Sequence, residues 1–382
     1  EIRNCFSDGV LWVTLGQNPD ILPMLSAWIQ ALGDYHYRPT TVESASNHLR
    51  TLLYDKRILL VVDDVWHPEH LAPFHVGGYE CCILVTTREA RIPNAYLCEL
   101  DAMTTGQALE LITKNVSRLV SEAEKQQALM FAEYVGYLPL ALELATSQIN
   151  EGVNWTELLE ELNTEAFRLE ALDLYGYEEI PNDAKRRKYS LLACFNLSLK
   201  QLSTEQLRYF AWLGVIPEDA TITRQVAETL WQVSSHQARK ILRIFRAKAL
   251  LLHGAQLDNN QPSYRIHDLV HHLAERLLLS SSQPTQASEI AGLGLTKAKA
   301  HSQLLNHYRT KTKDSHWHSL EDDGYIYAYL TWHMEQAQQP QEIHQLLQES
   351  NEQGRNSWYE ACAAIGKLAY FVDDIGRAWR LA

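Results

Sequence analysis

Two carboxylates and an arginine follow apolar runs of this sequence, at positions where strands are predicted to end. Asp63 and Asp64 come directly after Ile58-Leu59-Leu60-Val61-Val62, and Arg88 follows Leu84-Val85-Thr86-Thr87. A carboxylate at the carboxyl end of a parallel strand can hold Mg²⁺, usually through water, and a second acid can orient an attacking water. A guanidinium at the same edge can pair with a terminal phosphate. Together these side chains predict phosphate chemistry at one edge of a sheet.

Each of these residues also has a plainer interpretation. The two acids could merely cap a strand and begin a turn, and an arginine alone could equally form a salt bridge. Pro139, in Gly136-Tyr137-Leu138-Pro139-Leu140-Ala141, could simply begin a helix, because its missing N–H costs nothing in the first turn. His267, in Ile266-His267-Asp268-Leu269, stands at the first turn of a predicted helix, where backbone N–H groups favour an anion.

Strand and helix patterns alternate over the first hundred residues. The near-continuous apolarity of the second strand is typical of burial on both faces of a sheet. Alternating strands and helices therefore predict a parallel sheet covered by helices on both faces. The predicted elements are strands at Val10–Thr14, Ile58–Val62 and Cys82–Thr86, and helices at Leu22–Leu32 and Val42–Leu53.

The remainder of the chain predicts helices with one hairpin. Residues 104–170 carry helical apolar stripes, and 175–188, with the basic run Lys185-Arg186-Arg187-Lys188, are predicted to be a polar linker. Residues 190–279 predict helices closed by a hairpin around Asp258-Asn259-Asn260-Gln261-Pro262, which is typical of a winged-helix domain. Amphipathic helices rich in Trp and Tyr follow a second linker near Pro284.

The bulk composition narrows the class of protein. A length of 382 residues predicts two to four domains, and a net charge of -13 argues against a protein that mainly holds nucleic acid. Arg239, Arg243 and Arg246, at helical spacing, are the one feature that favours nucleic acid. Six irregularly spaced cysteines predict reduced, mostly buried thiols, with Cys81 and Cys82 in the core. Without a signal peptide or an apolar run of about 18 residues, the expected location is cytoplasmic, with no membrane partner.

The order of these segments resembles that of NB-ARC proteins, the signal-transduction ATPases with numerous domains that include apoptosome-forming and plant disease-resistance proteins. The resemblance covers most of residues 8–280, and Ile266 stands where the family has methionine before His-Asp. The resemblance implies that Asp63 binds Mg²⁺, that Asp64 orients the attacking water, and that Arg88 senses the terminal phosphate. It also implies that Pro139 contacts the adenine and that His267 contacts the β-phosphate of ADP.

By the same resemblance, the fold is expected to be multidomain, α/β plus α. It would combine a partial P-loop NTPase parallel sheet with a helical domain, a winged-helix domain and a C-terminal helical region. The predicted domains are 1–100 for the partial nucleotide-binding domain, 101–175 for the helical subdomain, 188–280 for the winged helix, and 285–382 for the helical start of a superhelical or repeat-linked segment.

The family's glycine-rich phosphate loop has no counterpart in this sequence. No GxxxxGK followed by Ser or Thr occurs, and the chain begins with Glu1, so we expect it to be truncated upstream. Two lost charge-assisted hydrogen bonds, at ~1.5–3 kcal/mol each, would weaken affinity by about 10²–10⁴. We therefore expect this chain alone to bind nucleotide weakly or not at all. We also expect the neighbours of the missing central strand to have unpaired edges that promote aggregation.

The function implied is a switch that binds ADP or ATP with Mg²⁺ between its domains in the intact parent. It would control self-association, with partners recruited through downstream repeats and with slow, regulatory hydrolysis; whether this chain is an enzyme stays open. The alternatives are a winged-helix transcription regulator and a degenerate scaffold without nucleotide. His267, His271 and His272 could suggest a metal site, but only the first two share a helix face and no third ligand is apparent nearby. The segment His316-Trp317-His318 is interpreted as a solvated loop.

Overall fold

The computed structural model describes nine stretches of the chain, which divide into two compact units. One unit is formed by Glu1–Cys98 and Lys297–Ala382, and the other by Glu99–Thr296. The first and last of the four predicted domains thus contribute to one unit, while the predicted boundaries themselves stay a prediction. The described residues are 5–16, 19–87, 92, 95–118, 121–172, 182–218, 220–254, 262–283 and 290–382.

The first unit contains a three-stranded parallel sheet, as the alternating pattern predicted. Its strands are β1 (Gly9–Gly16), β2 (Ile58–Val65) and β3 (Cys82–Thr87), in the order β1-β2-β3. Val61 and Val62 of the central strand are both buried although they point to opposite faces, because β2 has a neighbour on each side. This explains the unbroken apolar run in β2.

The two faces of the sheet differ in their cover. Leu11, Leu60 and the residues that alternate with them join one core with the helices α1 (Ile21–Ala31) and α2 (Val42–Leu53). On the opposite face Trp12 stays 55% exposed and Leu84 50% exposed. The prediction of helical cover on both faces is therefore wrong for the part of the chain that the structure describes, since both helices between the strands pack on the same side.

The central strand β2 is paired on both sides. Leu59 to Val62 pair with Cys82 to Val85 in parallel register. Among the described residues β1 and β3 are each paired on one side only, so the expectation of unpaired edges that promote aggregation stays a prediction. The register shifts between Val62 and Val65, at the two acids singled out above.

Five C-terminal helices complete the first unit. Gly366, at φ 73°, separates the last two of them, and its carbonyl accepts a hydrogen bond from the Gln30 side chain of α1. Ala369 joins the core of the sheet, so the C-terminal helices and the sheet pack together. The five helices are α13 (Lys297–Arg309), α14 (Ile326–Gln336), α15 (Pro340–Gln348), α16 (Ser357–Ala364) and α17 (Leu368–Arg380). The short helix α3 (Pro68–Leu71) follows β2.

The second unit begins with five helices. The last of them starts at Asn182, so the basic run 185–188 is helical and the predicted linker is wrong there. Alanine, lysine and arginine favour a helix, and the apolar positions that begin at the buried Tyr189 continue in the same helix. Of the predicted linker, 175–181 lie outside the described residues. The five helices are α4 (Thr105–Asn115), α5 (Glu122–Tyr134), α6 (Pro139–Asn150), α7 (Trp155–Leu172) and α8 (Asn182–Lys200).

The rest of the second unit is helical apart from a hairpin, as predicted. The strands of the hairpin are antiparallel, and Ile222 forms a further bridge to Tyr264. Gly214 lies in a short 3-10 helix, where a Cβ atom would meet the backbone nitrogen of Glu275 at 2.3 Å. The elements are α9 (Thr204–Trp212), α10 (Arg224–Trp231), α11 (Ser235–Ala247), β4 (Leu252–His253), β5 (Tyr264–Arg265) and α12 (Asp268–Leu279).

The cysteines are more exposed than predicted. Only Cys194 and Cys362 are buried, Cys81 is half-buried, and Cys5, Cys82 and Cys98 are exposed. Cys82 is exposed because it lies on the less covered face of the sheet, so its predicted place in the core is wrong. Among the described helices, none has the length and apolarity needed to cross a bilayer.

Candidate functional site

A row of polar side chains crosses the sheet near the carboxyl ends of its strands. The Thr86 hydroxyl of β3 donates to Asp63 Oδ1 of β2 at 2.6 Å, and the Thr14 hydroxyl of β1 lies 3.4 Å from Asp63 Oδ2. Thr14 and Asp63 are paired in register, and all three side chains lie on the face that also carries Trp12 and Leu84. The two-residue period of each strand therefore brings the three oxygen-bearing side chains together.

Asp64 lies beside this row with a different backbone conformation. Its φ is 52°, in the left-handed region that aspartate tolerates better than most residues. Its N–H donates to the Thr86 hydroxyl at 2.8 Å, and Trp66 Nε1 donates to its Oδ2 at 2.9 Å. Thr86 thus contacts both acidic residues, and this turn accompanies the register shift in β2.

These contacts fit a site for a hard cation and phosphate. Carboxylate and hydroxyl oxygens are the donors that Mg²⁺ prefers, and both Asp63 and Asp64 are half-buried, so water can reach the site. The position outside the carboxyl ends of parallel strands is where α/β sheets bind ligands. The sequence singled out the two acids but missed Thr14 and Thr86, whose only signal was a hydroxyl near the end of a predicted strand.

Arg88, the predicted phosphate sensor, lies outside the described residues. Just before it, the Thr87 hydroxyl donates to the Val65 carbonyl at 2.7 Å. This bond fixes the end of β3 against the end of β2.

Pro139 occupies the first turn of α6 and is exposed. The residues before it reverse the chain: Gly136 and Tyr137 have φ of 67° and 55°, and Tyr137 N donates to the Ala132 carbonyl at 2.7 Å. Glycine suits this position because the left-handed region has little cost for it. The turn accounts for the sequence Gly-Tyr-Leu-Pro, and it leaves the proline ring accessible.

His267 caps the N-terminus of α12 with its own ring. Its Nδ1 accepts a hydrogen bond from the N–H of Leu269 at 3.2 Å. An imidazole nitrogen that accepts carries no proton, so the neutral ring bears its hydrogen on Nε2. Nε2 is therefore the donor nitrogen of this ring, which lies at a helix N-terminus, where backbone N–H groups favour an anion.

The neighbouring His271 has a different environment. It is buried, its Nε2 lies 2.7 Å from the Ile216 carbonyl, and its Nδ1 lies 3.6 Å from a carboxylate oxygen of Glu218. These contacts hold the ring in the packing between α12 and the chain after α9. His272 is exposed. The structure thus gives His271 a packing role and does not bring the three histidines together as a described metal-competent group.

The predicted site residues are divided between the two compact units. Asp63 and Asp64 belong to the first unit, and Pro139 and His267 to the second. Within the first unit the structure brings the acids together with two hydroxyls. Within the second it leaves a proline ring accessible and fixes the tautomer of a histidine.

Comparison with protein families gives two matches. Residues 1–121 match the NB-ARC domain, and residues 298–351 match the APAF-1 helical domain. The first match contains the polar row, and the second begins in α13 and ends just beyond α15.

Curated relatives belong to three groups of proteins. The chain is 26% identical over 98% of its length to apoptotic protease-activating factor 1 of Danio rerio, and 28% identical over 76% of its length to regulatory protein AfsR of Streptomyces griseus. It is 23% identical over 72% of its length to a probable disease resistance protein of Arabidopsis thaliana. The aligned region is 28%, 29% and 32% of the length of these relatives.

A solved structure of a Signal Transduction ATPase with Numerous Domains, with a tetratricopeptide repeat sensor, from Pyrococcus horikoshii superposes with a TM-score of 0.45. The match is 10% identical and covers 96% of this chain and 52% of that one. The sequence matches are the informative ones, because the NB-ARC match contains Asp63 and Asp64 and the APAF-1 helical match falls in the C-terminal helices. The sequence matches therefore support a relation of this chain to the NB-ARC family.

Proposed function

We propose that this chain is the core of a nucleotide-dependent signalling switch. ADP or ATP would bind between its domains, and the bound nucleotide would hold an inactive form. Exchange of the nucleotide, or sensing of a ligand, would release the domains for self-association. Hydrolysis would be slow and regulatory. The observation that carries the proposal is the row formed by Thr14, Asp63 and Thr86 at the carboxyl edge of the sheet.

The two acids support different roles in this proposal. Asp63 accepts from two hydroxyls on neighbouring strands, which fixes its carboxylate where a Mg²⁺ ion and its water shell would bind. Asp64 is turned by its left-handed backbone and held by Trp66, so its carboxylate is aimed separately and could orient a water. In this assignment Asp63 binds the metal, Asp64 orients the attacking water, and Arg88 senses the terminal phosphate.

The second unit would supply the remaining contacts to the nucleotide. Pro139 offers an exposed, rigid apolar ring to the adenine, and His267 offers Nε2–H to the β-phosphate. The phosphate loop of the family is not part of these 382 residues, so the proposal concerns the full-length protein.

Turnover in the full-length protein tests the proposal. Replacing Asp63 and Asp64 by asparagine keeps the size of both side chains and removes their charge. We expect the double variant to lose Mg²⁺-dependent ATP hydrolysis, while the matched variant Asp55→Asn, in the loop before β2, keeps it. Unchanged turnover in the double variant would remove the assignment.

A second candidate function has one structural observation in its favour. Arg239, Lys240 and Arg243 lie exposed on one side of α11, with His236 one turn earlier. This helix precedes the hairpin β4–β5, as the recognition helix precedes the wing in winged-helix DNA-binding proteins. One group of relatives is named as regulatory proteins.

If this face binds DNA, its arginines would contact the phosphates, and the salt dependence of DNA affinity tests that. If α11 binds DNA, Arg239→Ala with Arg243→Ala should weaken retention of a duplex probe and reduce the salt slope by about two. The control is Arg276→Ala, an exposed arginine on α12. Equal retention by both variants would exclude this function for α11.

A further inference from the structure

The connection between α13 and α14 is an ordered loop rather than the solvated one that its polar sequence suggested. Trp317 is only 4% exposed and begins a short 3-10 helix, and the Arg309 guanidinium lies 4.7 Å from its ring centroid. The backbone N–H of Lys313 donates to the Ser319 hydroxyl at 2.7 Å. The buried tryptophan anchors the loop, so the histidines on either side of it have fixed positions.

Those two histidines converge on one carboxylate. His318 Nδ1 lies 3.1 Å from Glu349 Oε2, and His316 Nδ1 lies 3.6 Å from Glu349 Oε1. One ligand atom from each of the three residues lies within 4.8 Å of the other two. The two rings are 5.2 Å apart, centroid to centroid. Thirty-one residues separate His318 from Glu349, so the fold and not local sequence creates the cluster.

We propose that His316, His318 and Glu349 form a zinc site that links this loop to the end of α15. Zinc takes imidazole nitrogen and carboxylate oxygen at about 2.0–2.2 Å, and tetrahedral ligands at that bond length are about 3.3 Å apart. The separations of 3.1 and 3.6 Å run to different oxygens of Glu349, and one ligand atom of each residue lies within 4.8 Å of the other two, so small side-chain rotations would bring the three ligands to that spacing. Three protein ligands leave a fourth position for water or for a side chain of another molecule.

The backbone around Glu349 favours a preformed ligand. Glu349 ends α15, where its N–H donates to the Gln345 carbonyl at 3.1 Å and its carbonyl accepts from Ser357 N–H at 2.9 Å. These bonds hold the residue between α15 and α16. Because Trp317 fixes the other side, binding would require only side-chain adjustment.

The competing interpretation is a pair of hydrogen bonds from the two imidazoles to one carboxylate. That arrangement needs no ion, and exposed groups of this kind often have none. The two interpretations differ in the effect of zinc, since only a metal site gives affinity that depends on all three residues together. His344, half-buried on the same helix as Glu349 but outside the cluster, offers a matched control.

Titration of the metal-free 382-residue chain with Zn²⁺ tests the site, with Co²⁺ as a spectroscopic probe of tetrahedral geometry. We expect one zinc ion per chain at this site, and at least about a tenfold loss of affinity in His316→Ala and in Glu349→Gln. His344→Ala should bind as the parent does. His316 is 52% exposed on its side chain, so its replacement should not disturb folding. Zinc should also raise the melting temperature of the parent and not of the two site variants.

Two results would overturn the proposal. One is a parent chain that binds no zinc and that shows no tetrahedral spectrum with Co²⁺. The other is equal zinc affinity in the parent, His316→Ala and Glu349→Gln, which would place any bound ion elsewhere in the chain.

Discussion

Replacing Arg377 of α17 by methionine should destabilise the first unit. The side chain of Arg377 is 8% exposed and bridges three elements. It pairs with Glu335 of α14, donates to the Thr331 hydroxyl at 3.2 Å, and lies 3.7 Å from Asp20 at the start of α1. Its removal therefore loosens the contact between α1 and the C-terminal helices.

The magnitude follows from the exposure of each partner. The hydrogen bond to Glu335 is charge-assisted and contributes about 1.5–3 kcal/mol, and the bond to Thr331 contributes about 1 kcal/mol. The pair with Asp20 adds less than about 1 kcal/mol, because that carboxylate is half exposed. Methionine retains the apolar contacts of the arginine stem. We expect a loss of about 2–4 kcal/mol in the free energy of unfolding.

The loss should grow with pH because of the buried Asp374. Burial raises the pKa of Asp374 to about 6, although its bonds with Thr331 and Trp358 and the nearby Arg377 oppose the rise. Without the cation the pKa rises further. A group with a raised folded pKa stabilises below its unfolded value of 3.8 and loses that contribution as pH rises through the folded value. Arg377→Met should therefore cost more at pH 8 than at pH 5.

Urea unfolding at the two pH values, followed by circular dichroism, measures both effects. The matched control is Arg380→Met, three residues along the same helix and exposed, which should change stability by less than about 0.5 kcal/mol. An Arg377→Met variant no less stable than that control would refute the bridging role. A loss that is equal at both pH values would refute the coupling to Asp374.

Three further predictions concern single side chains. Thr86→Val removes the donor to Asp63 and the acceptor of a neighbouring N–H, so we expect a loss of about 1–2 kcal/mol in urea unfolding; an unchanged midpoint would contradict the contact. Gly214→Ala should cost about 1–3 kcal/mol, because its Cβ would meet backbone, while Gly106→Ala, with open space in α4, should stabilise slightly; the reverse order in thermal melts would be inconsistent with the packing. Burial holds the pKa of His333 well below its usual 6.5, so the neutral ring stabilises the fold above pH 6.5 and this contribution is lost as pH falls. His333→Gln should therefore flatten the acidic part of the curve of unfolding free energy against pH, and parallel curves for the variant and the parent would contradict this prediction.

Much of the local structure could be predicted from the sequence. The three strands, the helices between them and the hairpin follow from apolar periodicity, which acts over a few residues at a time. The central place of β2 also follows, because a strand without polar positions has to be buried on both faces.

Long-range pairing could not be predicted in the same way. Nothing local specifies that β2 pairs directly with β3, or that Cys82 lies on an exposed face. The helical conformation of 185–188 depends on apolar residues that follow the basic run. These outcomes depend on which elements meet in three dimensions, and residue spacing does not encode that.

The candidate site also has a part that could be predicted from local sequence and a part that could not. Asp63 and Asp64 were recognised because two acids follow an apolar strand, whereas their contacts with Thr14 and Thr86 depend on the register of three strands. His316 and His318 were interpreted as part of a solvated loop because Glu349, which completes the cluster, lies 31 residues beyond His318.

In the proposed switch, one nucleotide contacts both Asp63 and His267. The most direct test is the distance between spin labels at Glu69 and His272, both exposed, in the full-length protein with Cys5, Cys82 and Cys98 replaced by serine. With saturating Mg²⁺ and ADP we expect one narrow distance distribution, which broadens when the nucleotide is removed or when His267 is replaced by alanine. An unchanged distribution with and without bound ADP would contradict the switch.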